Sequence, residues 1–180
     1  MVKLDMPVGR NTYTLIAPRP IVLVTSVAEG LRPNIIPVAA VTGASHEPPM
    51  LVISVHHNRY SHQLIEKSKE FAINVPTTSL KEQIQFCGRN SGSKVDKFKE
   101  TKLTPVKATV IKAPIIAECP VNIECKVVAA IRPGTHTLFV GQAVAAHVEE
   151  GAFDGSKLNL KQFPTIGYNQ PEFLAPGNVV

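Results

Sequence analysis

VNIECKVVAAIRPGTHTLFVGQAVAAHVE (121–149) is the stretch whose reading decides the fold. Val121, Ile123, Cys125, Val127, Ala129 and Ile131 fall at every second position, with Asn122, Glu124 and Lys126 between them. A repeat of two is the repeat of a strand, so the pattern predicts one long strand with an apolar face and a polar face. Arg132-Pro133-Gly134 has turn chemistry, and a second long strand runs from Thr137 to about Glu149. Two long strands joined by a short turn make a hairpin.

Shorter strands precede it. Ile21 to Ser26 is an apolar β-branched run, Met50 to Val55 repeats it after Pro48-Pro49, and Phe71 to Val75 repeats it before Pro76. Helical signals are confined to the middle. Ser61 is placed to cap a helix through Leu64, Ile65 and Lys69, and Ser79 to cap another over Leu80 to Phe86, ended by Gly88. Ser93, three residues ahead of Asp96, has the spacing of a start for a short turn through Phe98. Strands, a helical insert and more strands do not form the alternating βαβ order of a parallel sheet. They predict a mainly β protein, an antiparallel, closed or partly closed barrel with flanking helices. Residues 1–150 hold these elements. Residues 151–180, with three Pro and four Gly, read as a tail wrapping the same domain.

The chain has 180 residues, a one-domain length at which roughly 70% of the unfolded surface can be buried. With 44% hydrophobic and 18% charged residues, disorder is excluded. No apolar run approaches the ~20 residues of a membrane span, and Met1 to Arg10 lacks the apolar segment of a signal peptide. Three cysteines, Cys87, Cys119 and Cys125, without CxxC spacing, point to a reduced cytoplasmic compartment. The net charge of +5 is localised: residues 59–107 hold ten Lys or Arg against five acids, and the remainder balances. Such a segment is either a solvated helical face or a surface for an anion. Nucleic acid is disfavoured by the lack of zinc-finger spacing, RNP-like aromatics and Trp. A phosphorylated small molecule fits as well.

Among chemical motifs, GxGxxG, GxxxxGK[ST] and GxSxG are absent. His46, His56, His57 and His62 lie close in sequence, but adjacent His56 and His57 leave a strand on opposite faces, so no metal site is expected. Cys87 reads as a buried inert thiol. The informative piece is the strand MLVISV (50–55), the loop HHNRY (56–60) with Arg59, and the helix start at Ser61. A helix start presents free N–H groups and a positive dipole end, here beside a hydroxyl and a guanidinium. That is an anion site, or else simple capping with Arg59 in solvent.

Taken in order, RPIVLVTS (19–26), NIIPVAA (34–40), the Pro48-Pro49 pair before MLVISV, Arg59 and Ser61, FAINVP (71–76), CGRNSG and DKF within 87–98, APIIAEC (113–119), ECKV (124–127) and GTHTLFVGQ (134–142) resemble the flavin reductase-like, FMN-binding split-barrel family, flavoredoxin types included. The resemblance implies an antiparallel split β-barrel, commonly a homodimer, with FMN near the subunit interface and hydride or electron transfer at flavin N5. It places Asn34, Pro37, Val38, Ala39 and Ala40 along the isoalloxazine. Ser54, Arg59 and Ser61 fall by the phosphate with Lys97 next in line, and His136 near the ring or the nicotinamide side. No side chain is required as a catalytic acid or base, because the flavin carries the redox chemistry.

Three functions remain open at this level. The chain is an NAD(P)H-dependent flavin or ferric-complex reductase, an FMN electron carrier without a pyridine nucleotide site, or a basic binding module without redox chemistry. The first two imply a yellow protein and the third a colourless one.

Overall fold

The computed structural model describes residues 7–9 and 12–177. The strands are β1 (Arg19–Pro20), β2 (Val22–Ser26), β3 (Asn34–Val38), β4 (Val41–Ser45), β5 (Met50–His56), β6 (Glu70–Val75), β7 (Pro105–Val106), β8 (Ile115–Ile116), β9 (Val121–Ile131), β10 (His136–Val148), β11 (Gly167–Asn169) and β12 (Glu172–Leu174). The α-helices are α1 (Tyr60–Ser68), α2 (Lys81–Arg89) and α3 (Lys97–Thr101). None of the described helices is long and apolar enough to cross a membrane.

Seven strands form one sheet in the order β3-β2-β6-β9-β10-β5-β4, every neighbouring pair antiparallel. The two edge strands, β3 and β4, are joined by Ala39 and Ala40 alone. A link that short spans roughly 10 Å, so the sheet must curl until its edges nearly meet. They are not paired with each other; instead the Ser54 N–H donates to the Ala40 carbonyl at 2.9 Å. The result is the split barrel anticipated from the strand order. Register shifts between β9 and β10, with Val128 the extra residue on β9 and Val144 on β10, supply part of the bend.

The β9–β10 hairpin forms where its alternation places it, but the polar face of β9 is not a solvent face. Glu124 is 0% exposed and Asn122 is buried, whereas Lys126 is exposed. Residues 104–118 cross that face and satisfy it: the Glu124 carboxylate accepts from the N–H groups of Thr109, Val110 and Ile111 and from His147 Nε2. The far end departs in the other direction. Val128, Ala129, Ala130 and Ile131 are exposed; they lie beyond Lys126, the last β9 residue in the β6 register.

Both faces of β2 are buried, which explains its unbroken apolar reading. Val22 and Val24 enter the barrel core with Ile53, Phe71 and Phe139, while Leu23 packs outward against Ile84, Cys87 and Phe98 of α2 and α3. The helix starts differ from their predicted caps. Arg59, not Ser61, is the cap residue of α1; a 3₁₀ turn (Thr78–Leu80) absorbs Ser79 before α2; and Asp96 caps α3 by accepting from the Lys99 N–H. Gly88 does not end α2. It lies inside the helix, where a Cβ would come within 3.3 Å of Pro37 Cγ, so its lack of a side chain lets α2 approach β3. The final residues fold back on the start of the chain: β11 pairs with β1, Thr78 N–H donates to the Pro164 carbonyl, and Ile166, Tyr168 and Phe173 join the outer core.

Candidate functional site

The start of α1, the middle of β3 and the segment from the end of α2 to Lys97 converge on a recess of about 150 Å3. Asn34, Pro37, Arg59, Ser61 and Lys97 line it together, although 63 positions separate the first from the last. The distant pieces meet because the curled sheet brings β3 close to β5, from whose end α1 starts, and α2 lies across β3. Val38, Ala39, Ala40, Ser54 and His136 are not part of this lining. Val38 ends the same strand past Pro37, Ala39 and Ala40 form the link to β4, and Ser54 joins them through its bond to Ala40. His136 stands opposite His56 across the β5–β10 pair.

Sequence reading missed the other wall. Asn90, Ser91 and Gly92, from the CGRNSG segment, also line the recess. The signal was there, two glycines enclosing polar residues, but nothing in the sequence says which strand they face.

The recess has a definite electrostatic character. Two of its lining residues are cationic, Arg59 and Lys97, and none is acidic. At the start of α1 the His62 N–H donates to the Arg59 carbonyl at 2.9 Å, while the N–H groups of Tyr60 and Ser61 have no acceptor within the helix. Lys97 Nζ donates to the carbonyls of Ile35 and Cys87, each at 2.7 Å, and burial lowers its pKa to about 8. Asn34 Nδ2 donates to Ser61 Oγ at 2.8 Å, while Asn34 Oδ1 is buried without a partner. Burial pushes the Cys87 thiol up to about 11 despite the nearby Lys97, which disfavours the thiolate. A larger groove of about 330 Å3 carries Lys67 and Lys112 against Glu29 and Glu70, so it favours neither sign.

Beside the recess, histidines line the end of β5. His56 stacks edge-on against His136 at 4.8 Å and His57 against His62 at 5.1 Å, so the neighbours do point to different partners. Among the described residues no three His, Cys, Asp or Glu converge as metal ligands. Burial lowers the pKa of His136, and His56, His57 and Arg59 push it the same way. His62 is likewise lowered by burial, Glu66 opposing; it meets Thr137 Oγ1 at 2.8 Å, and Glu66 is also bonded to Arg132 in the hairpin turn. Thus α1 is fastened to the β9–β10 hairpin on the side away from the recess wall.

An acid-free, donor-rich recess of this size suits the phosphate end of FMN; three fused rings exceed its room and would have to lie outside it. The residues present fit such a group.

A split barrel carrying a basic recess at a helix start defines a class, and comparison with known proteins identifies it. The family described as "Flavin reductase like domain" matches residues 15–168. An uncharacterized protein of Archaeoglobus fulgidus is 38% identical over 138 residues, 76% of this chain and 73% of that one. The reductase component of an FADH(2)-dependent resorcinol hydroxylase from Rhizobium sp. is 32% identical over 148 residues, 79% of each. The structure of flavoredoxin from Desulfovibrio vulgaris superposes with a TM-score of 0.87 at 27% identity, covering 98% of this chain and 96% of that one. The chain belongs to the flavin reductase-like family.

Proposed function

We propose that the protein is an FMN-dependent oxidoreductase that draws on NADH or NADPH and delivers reducing equivalents to a flavin or a ferric complex. The observation that carries this reading is the acid-free recess: two cations and a helix start, in a chain of this family, with room for a phosphate. The uptake and release of electrons belong to the flavin when bound. Arg59, exposed at the mouth, pairs with the phosphate, and the start of α1 offers the N–H groups of Tyr60 and Ser61. The backbone from Pro37 to Ala40 faces the ring, with Ser54 tied to it, and His136 sits at the ring edge or the nicotinamide side. Lys97 contributes charge from behind, since two of its three N–H groups are spent on carbonyls.

The test compares FMN with riboflavin, which lacks the phosphate. Charge-assisted hydrogen bonds contribute on the order of 1.5–3 kcal/mol each, so FMN should bind at least about tenfold more tightly. Arg59→Ala should remove most of that preference and leave riboflavin binding nearly unchanged. Equal loss for both ligands would count against the site. Anaerobic mixing of the yellow protein with NADH or NADPH then tests the enzyme: bleaching within seconds is expected.

A second reading, an FMN electron carrier with no pyridine nucleotide site, is favoured by the likeness to flavoredoxin along nearly the whole chain. A flavin that NADH and NADPH leave oxidised, but dithionite reduces, would decide for it. In either case a homodimer is expected, as the family resemblance implies; Val128 and Ile131, exposed at the far end of β9, are apolar surface that a symmetric copy would cover.

A further inference from the structure

We infer that Asn34 is a positioning residue which turns the Ser61 hydroxyl into a proton donor facing the recess, so that the site selects a phosphate oxygen. The inference rests on the reading of the recess as a phosphate site. A serine hydroxyl has one proton and two lone pairs. Asn34 Nδ2 occupies one lone pair of Ser61 Oγ at 2.8 Å. The proton must therefore point elsewhere, and the helix offers it nothing. Ser68 and Thr101, the other α-helical serine and threonine, donate to the carbonyls of Leu64 and Lys97, four residues back. Four residues back from Ser61 is His57, which precedes α1. Ser61 thus keeps a free donor in a wall that already holds Arg59 and Lys97.

The opposite amide orientation would undo this. Asn34 Oδ1 would then accept the Ser61 proton, and the hydroxyl would present lone pairs to an incoming anion. Packing against Gly92 accompanies the observed orientation: a Cβ at residue 92 would lie 1.9 Å from Asn34 Oδ1 and 2.4 Å from Cγ. Only glycine leaves room for the amide there. Asn34 is 2% exposed and Ser61 0%, so the pair forms a closed floor. Both residues line the recess together with the exposed Asn58 and Arg59.

The experiment is a double-mutant cycle on FMN and riboflavin affinity, read by flavin fluorescence quenching, with melting of each ligand-free variant as the folding control. Asn34→Ala should weaken FMN about five- to tenfold and riboflavin less than about twofold, and the double variant with Ser61→Ala should match Ser61→Ala alone within about twofold, because both changes remove one coupled interaction. Losses that multiply in the double variant, or that fall equally on riboflavin, overturn the proposal: Asn34 would then meet the ligand itself. Should Asn34→Ala not fold, Gly92→Ala displaces the same amide without touching Ser61, and it should cut the FMN preference similarly. An unchanged preference in Gly92→Ala overturns the inference as well. Failure of the phosphate reading is separate and visible first, as a wild type that does not prefer FMN or an Arg59→Ala that keeps the preference.

Discussion

Lys97 is 4% exposed, and its ammonium is solvated by two carbonyls with no carboxylate bonded to it. Burial lowers its pKa to about 8, the Cys87 thiol opposing and Arg59 assisting. Between about 8 and the ordinary lysine range, the folded chain has released a proton that the unfolded chain keeps, so this group makes stability rise with pH there. Urea midpoints from pH 8 to 10 should therefore climb more in the wild type than in Lys97→Met; parallel curves would show that Lys97 is not the cause. A bound phosphate favours the charged amine, so FMN affinity should fall as pH rises through about 8, and Lys97→Met should flatten that fall. At this scale the sequence was half legible. Arg59 and Ser61 announce themselves beside a helix start. The bond from Asn34 to Ser61, like the carbonyl partners of Lys97, crosses from one element to another, and no local pattern encodes it.

The β9–β10 hairpin shows what an element owes to its surroundings. Its period of two was plain in the sequence, and the strands form within a residue of their expected ends. Which face is covered was not plain, since alternation separates two faces without saying what lies over each. Glu124, on the polar face of the strand, is wholly buried as an acceptor for the 109–111 loop. Burial works to raise its pKa, but bonds from His147, Thr109 and Val110 outweigh that and hold it at about 2. A carboxylate lowered on folding stabilises above the ordinary glutamate range and loses that contribution as pH falls towards about 2. Glu124→Gln should cost about 1.5–3 kcal/mol at neutral pH, as expected for hydrogen bonds to a charged group, and should flatten the acid limb of the stability curve. Chemical denaturation at pH 7 and pH 3 would check both, and an unaltered acid limb would sink the assignment. Gly141 makes the complementary case on the inner face. A Cβ there would stand 2.5 Å from Phe71 Cζ and 2.9 Å from Cys125 Cβ. Gly141→Ala should destabilise by about 1–3 kcal/mol through overpacking, measured as a lowered urea midpoint with an unchanged slope.

For the whole molecule, the pairing of β11 with β1 and the packing of Ile166 against the outer core support treating residues 151–180 as part of one cooperative unit. Calorimetry should show a single unfolding transition, and a chain ending at Phe163 should melt lower, still in one step. Two transitions in the full chain would mark the tail as separate. By itself the sequence determined the longer strands, the helical middle and a helix start with the chemistry of either an anion site or a plain cap, because these depend on periodicity, turn chemistry and dipoles within a few residues. The tertiary structure alone decided that Ala39 and Ala40 bring the sheet edges together, that residues 104–118 bury a polar strand face, and that Asn34, Ser61, Gly92 and Lys97 share one recess. The physical reason is reach: a closed sheet brings into contact groups whose relation is set by curvature and by strands paired far along the chain, and no short window of sequence carries that information.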